Sequence, residues 1–339
     1  MSEPPFNILF TCIGRRVVLV RAFRRALESL GLKGSLVGTD QTAAASAMQV
    51  VDTAEVMPAA NTLHYIPKLR ELVTRHSIRL IVPLTDLDLR TLARHAEEFA
   101  QSNCRVMIGP ENVIAAVRDK LAFNELIRKA GLKSIRSMDL RDFRRQPFFP
   151  AFVKPLNGSA AVGSGRVDNE REMIAHVATF GNRLLVQDYV PGQEFTIDVF
   201  CRRDGVVCAA VPRQRLMIRA GEVEKSLTVN DPELIETAVR LTAQMPGMWG
   251  VFNIQCRRPI GGEPRIFEVN ARFGGGVPLS IQAGVDLPRM VVMEALGQKV
   301  PLMLGQFTDK LLMLRYDDAV FSQVQTTSDL PGFKEPIQK

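Results

Sequence analysis

The segment Ala151-Phe152-Val153-Lys154-Pro155 runs from apolar residues into a lysine, then into a stretch of small residues from Asn157 through Gly158, Ser159, Ala160, Ala161 and Gly163 to Gly165. Backbone N–H groups in such a loop can come close to phosphate oxygens, while a lysine ammonium beside them neutralises charge. The lysine precedes the loop and GxxxxGK[ST] is absent, so this is not a P-loop. A plain surface turn after a lysine competes with the polyphosphate reading. Further along, Val186-Gln187-Asp188-Tyr189-Val190-Pro191-Gly192-Gln193-Glu194 reads as strand, turn and strand. Backbone groups at Asp188, Tyr189 and Val190 are expected to be free to pair with an adenine edge. Glu194 is placed to accept the hydroxyls of a ribose, and an exposed hairpin glutamate is the alternative.

The strands expected at Val251–Gln255 and Ile266–Arg272 carry a second chemistry. Alternation puts Glu268, Asn270 and Arg272 on one strand face, and Gln255, two residues after Asn253, can meet them from the neighbouring strand. One carboxylate between two amide oxygens is a hard-oxygen set suited to Mg²⁺, which completes its octahedron with phosphate and water. A solvated strand face is the competing reading. Phe273-Gly274-Gly275-Gly276-Val277-Pro278 follows directly. Its glycines are expected to let the backbone approach a ligand closely, with a flexible connector as the alternative.

These residues need a scaffold, and the pattern supplies two kinds. Residues 1–118 alternate short apolar runs (Asn7–Ile13, Ser35–Thr39, Leu80–Pro83, Arg105–Ile108) with helical spacings, which implies right-handed crossovers and a doubly wound parallel sheet. Asp40 after the second run suggests a dinucleotide fold. The first turn, however, holds only Gly14 where close approach to a pyrophosphate needs three glycines, so a nicotinamide cofactor is not expected. Arg15-Arg16 in that turn can hold a carboxylate or phosphate at a helix start, or simply be solvated. From Phe148 onward β-type runs predominate, an α+β pattern with antiparallel pairs. The segment 321–339 is polar, with Pro, Gly and Ser, and reads as a loose tail.

Composition narrows the function. The 339 residues carry 43 Lys+Arg against 36 Asp+Glu, and residues 1–150 hold the whole excess as 22 basic and 15 acidic side chains. The arginines are scattered and aromatics make up only 6%, so nucleic-acid binding is not expected, whereas an anionic small substrate fits. Five widely spaced cysteines and four histidines give no zinc spacing. No basic-flanked signal core and no apolar run of about 20 residues occurs, so a cytoplasmic protein with no membrane span is expected.

Taken in order, these features resemble the ATP-grasp superfamily, most closely the stand-alone ligases similar to the large subunit of carbamoyl phosphate synthetase. The resemblance covers essentially the whole chain. It implies a pre-ATP-grasp domain (1–118), a small lobe or lid (119–190), and a C-terminal lobe carrying metal and substrate (191–320). Lys120, in Arg-Asp-Lys-Leu-Ala-Phe, and Lys154 match the two nucleotide-phosphate lysines. Gln187 and Glu194 match the adenine and ribose positions, and Gln255, Glu268 and Asn270 match the metal ligands in NxQ…ExN. Arg272 matches an arginine at the transferred phosphate. The run Pro212-Arg213-Gln214-Arg215 to Gly221-Glu222-Val223-Glu224-Lys225 resembles, more loosely, a basic strand and loop facing that phosphate, which adds Arg215 and Lys225. The lid departs from the family's Gly-Ser-Gly-Ser-x-Gly: Ala160 and Ala161 replace the second Gly and Ser, implying slower closure.

The resemblance implies ATP with Mg²⁺, or Mn²⁺ in its place, and an acyl phosphate made from a small carboxylate and captured by an amine or thiol. It leaves the oligomeric state open, with a homodimer as one option, since dimers are common among the relatives. Two further readings stand beside this one. The first is phosphorylation of bicarbonate or carbamate, and the second is a nucleotide-binding sensor without turnover.

Overall fold

The computed structural model describes residues 4–156, 163–219 and 221–323. Gly158, Ser159, Ala160, Ala161 and the 324–339 part of the expected tail lie outside the described residues.

The N-terminal unit contains β1 (Asn7–Thr11), α1 (Val17–Ser29), β2 (Leu36–Asp40), β3 (Thr53–Val56), α2 (Tyr65–Arg75), β4 (Ile78–Pro83), α3 (Leu89–Gln101) and β5 (Arg105–Val106). The five strands form one parallel sheet in the order β3-β2-β1-β4-β5. All of β1 is buried because helices cover both faces, which is why it reads as a continuous apolar run. In α1, Leu19, Val20, Phe23, Ala26 and Leu27 recur at helical spacing and are buried. Gly31, at φ 66°, takes the left-handed position that ends the helix. β3 has alternating half-buried and exposed residues, the texture of a sheet edge, and its short polar sequence gives no strand signal.

Two helices, α4 (Glu111–Arg118) and α5 (Lys120–Lys129), and the short β6 (Lys133–Ser134) lead into the small lobe. This lobe is built from β7 (Ser137–Asp139), α6 (Leu140–Arg145), β8 (Ala151–Pro155), β9 (Gly165–Val167), α7 (Glu170–Phe180) and β10 (Leu184–Asp188). Its sheet runs β7-β10-β8-β9 and covers its own core of Leu140, Phe143, Val153, Met173, Leu184 and Val186. The lobe is therefore narrower than the expected 119–190. Phe123 and Ile127 of α5 belong to the large core, and β6 pairs with the large sheet.

The C-terminal lobe comprises β11 (Gln193–Cys201), β12 (Val207–Arg219), β13 (Glu222–Thr228), α8 (Pro232–Thr242), β14 (Gly250–Arg258), β15 (Arg265–Asn270), α9 (Val277–Gln282), α10 (Leu287–Ala295) and β16 (Leu312–Leu314). Its seven-stranded sheet is ordered β16-β13-β12-β11-β14-β15-β6, and every pair except β15–β6 is antiparallel. One face sends Phe195, Ile197, Phe252, Ile254 and Ile266 into the core. The lobe is joined to the N-terminal unit by shared apolar packing. The Phe23 ring of α1 stands edge-on to Phe10 of β1 at 5.1 Å and to Phe273 at 5.6 Å, which anchors the turn after β15.

Candidate functional site

The opposite face of the large sheet is polar across five adjacent strands, and register explains how. Thr196 of β11 pairs with Gln255 of β14 and Arg213 of β12, Glu194 pairs with Arg257, and Asp198 pairs with Asn253. Gln255 in turn opposes Glu268, Asn253 opposes Asn270, and Ser226 of β13 opposes Arg215. Directly opposed residues share a face, so each strand's period-two alternation delivers its polar set to the same side. The small-lobe sheet faces this surface, and between them is a cleft of about 550 Å³. That volume is in the range of small-ligand sites.

Most of the expected residues meet there. Lys154, Gln187, Asp188, Tyr189, Val190, Glu194, Arg215, Gln255, Glu268, Asn270 and Arg272 all line the cleft. Lys120 lies at the first turn of α5, half-buried; burial, with repulsion from Lys154, holds its ammonium below the ordinary lysine range against the pull of Asp139. Gly163 is near the small-lobe helix, with its carbonyl 2.9 Å from His176 Nε2.

Two expectations are corrected. Lys225 is not in the cleft: it is exposed and pairs with Met217 and Leu314. Ser226 is the residue opposite Arg215, so alternation turns Lys225 to the other face. The backbone at Asp188–Val190 is only partly free. Asp188 N–H donates to Arg136 O at 3.0 Å, Tyr189 N–H to Pro150 O at 3.4 Å, and the Val190 carbonyl accepts from Arg257 Nη1 at 3.4 Å. The glycines after β15 line the smaller cavity described below and also make room for arginines. A β-carbon at Gly276 would meet Arg213 Cζ at 2.7 Å and Val223 Cγ1 at 2.7 Å, and one at Gly275 would meet Arg16 Nη1 at 3.2 Å.

The cleft's charged groups are held by one another. Glu194, 15% exposed, accepts from Arg257 at 2.9 Å and lies 3.2 Å from Arg215 Nη1. Arg215 also donates to Gln255 Oε1 at 3.0 Å, and its Nε is buried without a partner. Burial pulls its guanidinium below the ordinary arginine range, partly offset by Glu194. Arg272 lies just past the end of β15 rather than on it. It donates from Nε and Nη2 to Asp86 at 3.1 and 2.8 Å and from Nη2 to Asn270 Oδ1 at 3.2 Å. In the small lobe Gln187 Nε2 donates to Ser137 Oγ at 2.7 Å.

The oxygen donors around Glu268 form a candidate cation site. Glu268 supplies one carboxylate, and Gln255 and Asn270 supply amide oxygens that already accept from Arg215 and Arg272. Among the described residues no group of three His, Cys, Asp or Glu could hold a metal. These residues fit Mg²⁺ of the kind that takes one carboxylate and completes its shell on substrate phosphates and water.

Beyond the arginines the cleft continues. A second cavity of about 110 Å³ shares Arg215, Gln255 and Arg272 with the first, and adds Arg16, Arg213 and Glu222. Its floor is a buried ion pair: Arg213, 2% exposed, donates from Nε and Nη2 to Asp198 at 2.6 and 3.0 Å, and Ser280 Oγ donates to the same carboxylate. Arg16 is positioned from the N-terminal unit. Asp40 accepts from Gly14 N–H at 2.9 Å, which fixes the turn before α1, so the acid suggestive of a ribose site instead braces the arginine turn.

Sequence reasoning did not single out Arg257, which clamps Glu194, or Arg136, which binds Asp188 at 2.7 Å. The first was detectable, because Asn253, Gln255 and Arg257 share one strand face by alternation. The second was not, because its partner is 52 residues away.

Comparison with known proteins agrees with this geometry. Residues 181–313 match the family described as "ATP-grasp in the biosynthetic pathway with Ter operon", and residues 8–107 match "PylC-like, N-terminal domain". Carnosine synthase 1 of Gallus gallus is 27% identical over 176 residues, covering 44% of this chain and 19% of that protein. The chain thus spans about a fifth of that relative's length. Among solved structures, biotin carboxylase of Campylobacter jejuni superposes with a TM-score of 0.68 at 17% identity, over 87% of this chain and 72% of that one. L-amino acid ligase from Bacillus licheniformis gives 0.66 at 18% identity, over 91% and 78%.

Proposed function

This chain belongs to the ATP-grasp superfamily, and on that premise we propose that it is an ATP-dependent ligase joining a small carboxylate to an amine, with release of ADP and phosphate. The observation that carries this reading is the convergence of Lys154, Glu194, Arg215, Glu268, Asn270 and Arg272 on one cleft that opens onto an arginine-lined cavity. The activities named for similar proteins, carnosine synthase 1 and L-amino acid ligase, support an amino-acid or related carboxylate as substrate.

A carboxylate is a poor acyl donor at neutral pH, and phosphorylation makes it a good one. In the proposed reaction a carboxylate oxygen forms a bond to the γ-phosphorus of ATP while the bond to the β-bridging oxygen breaks, and ADP leaves with that electron pair. The amine then adds to the acyl carbon, the acyl C–O bond breaks, phosphate departs, and the nitrogen gives up a proton. Catalysis of such a transfer is mainly positioning and neutralisation of anionic oxygens. Lys120, Lys154, Arg215 and Arg272 supply fixed positive charge, and Gln187–Val190 with Glu194 orient the nucleoside. Mg²⁺, or Mn²⁺ on the same oxygen donors, would supply charge neutralisation at the phosphates when held by Glu268, Gln255 and Asn270. Glu194 must loosen its two arginines to accept a ribose, so nucleotide entry and rearrangement of Arg215 are linked. The lid closes over the acyl phosphate and excludes water.

The test is ADP release from Mg·ATP across a matrix of carboxylates, bicarbonate included, and amines, with mass spectrometry of the product. Substrate-dependent ADP with an amide product supports the reading. ADP driven by bicarbonate alone, or nucleotide binding with no ADP under any substrate, overturns it.

A further inference from the structure

The small arginine cavity adjoins a third cavity of about 280 Å³, and Arg16, Glu222, Gly274 and Gly275 line both. The three cavities are therefore neighbours in series, from the nucleotide cleft, past the arginines, to a cup at the junction of α1, the turn after β15 and β16. The character of the lining changes along it. At the arginine end stand Arg16, Arg213, Arg215 and Arg272, three of them already paired with Asp198, Glu194 or Asp86. Among the described residues Arg16 pairs only with Glu222, at 3.9 Å, and Glu222 is closer to Arg315, at 2.9 Å. In the cup, apolar walls of Val18, Leu19, Val277, Pro278, Leu314 and Tyr316 stand beside the charged Arg15, Arg315 and Asp318. Leu314 and Val18 are 60% and 52% exposed, so an apolar group covering them would remove apolar surface from water.

We propose that the acid activated by this protein has a bulky apolar body, seated in the cup between α1 and β16, with its carboxylate reaching back to Arg16, Arg215 and Arg272. The proposal rests on the ligase reading above and names its substrate class. A carboxylate at the arginines gains charge-assisted hydrogen bonds from Arg16, whose nearest carboxylate, Glu222, is 3.9 Å away. Its body, directed away from the nucleotide, meets the cup next. The cup has room for one aliphatic or aromatic side chain. Each methylene accommodated in such a pocket is worth roughly 10- to 200-fold in discrimination.

The experiment measures kcat/KM for ADP release by the full chain with acids graded in apolar size, alanine, leucine and phenylalanine, against glutamate and lysine, each with a panel of amines. Calorimetry of the same acids on the protein with Mg²⁺ and a non-hydrolysable ATP analogue reads binding separately. Leucine or phenylalanine should exceed alanine and glutamate by at least about 10-fold. Leu314→Asp and Val18→Asp, at exposed positions, should raise KM for the apolar acid about 10-fold and leave nucleotide binding unchanged. Turnover confined to small or charged acids, or an apolar preference that survives both substitutions, would overturn the cup assignment and leave the ligase reading standing. Apolar acids bound at the cup without turnover would retain the cup and overturn the ligase reading. Neither binding nor turnover would overturn both.

Discussion

Arg272 is tied to Asp86 by two hydrogen bonds of 3.1 and 2.8 Å across 186 residues of sequence. One partner follows the strand carrying Glu268 and Asn270, and the other follows β4 of the N-terminal unit. The arginine proposed to meet the transferred phosphate is thus aimed from outside its own lobe, and it passes the constraint on to Asn270 Oδ1.

Asp86→Ala removes that aim while leaving the arginine. By analogy with outer partners of ligands, kcat for ADP release should fall about 10- to 100-fold. Asp86 is one-third exposed, so the melting temperature should stay near that of the parent. Steady-state kinetics alongside thermal denaturation checks both halves.

Glu268→Ala deletes the only carboxylate in the proposed cation set. Turnover should drop on the order of 10²–10³, with the fold retained. Calorimetric affinity for ATP should also lose most of its dependence on added Mg²⁺. Unchanged Mg²⁺ dependence in this variant would remove Glu268 from the cation site.

Gly276→Ala tests the room made for Arg213. The new methyl would press on a guanidinium pinned by Asp198 and on Val223, so the side chain cannot swing aside freely. A loss of about 1–3 kcal/mol is expected from overpacking, read by urea denaturation. Asp198→Asn, which leaves Arg213 buried with a weakened partner, should cost about 3–5 kcal/mol.

Asp88, fully buried at the start of α3, has its carboxyl raised above the ordinary aspartate value by burial, against the hydrogen bond from Tyr65 Oη at 2.8 Å. A folded-state value above the unfolded one means its contribution is present below the unfolded pKa of about 3.9 and is lost as pH rises through the folded value. Asp88→Asn should therefore raise the melting temperature at about pH 8 and lose that advantage at about pH 4. A constant difference across that span would sink the assignment.

Much of the site was legible in the chain. Apolar runs alternating with helical spacings specified the parallel N-terminal sheet, because strands buried on both faces must be apolar throughout. Period-two alternation put Glu268 and Asn270 on one face and Gln255 opposite them, because a strand has only two sides. Lys225 was misplaced because pairing register decides which of two adjacent residues faces the cleft. That the glycines after β15 also make room for arginines was not legible, because Arg16 and Arg213 come from distant segments.

Sequence by itself determined which residue types alternate, where strands and helices can form, and hence what chemistry was available. Only the tertiary structure decided which charges meet. Asp86 on Arg272, Arg257 on Glu194 and β16 beside α1 are encounters set by chain crossings, and no local period encodes them. The reason is physical: backbone sterics and side-chain periodicity act over a few residues, whereas the placement of paired charges is fixed by how whole lobes bury their apolar faces against each other.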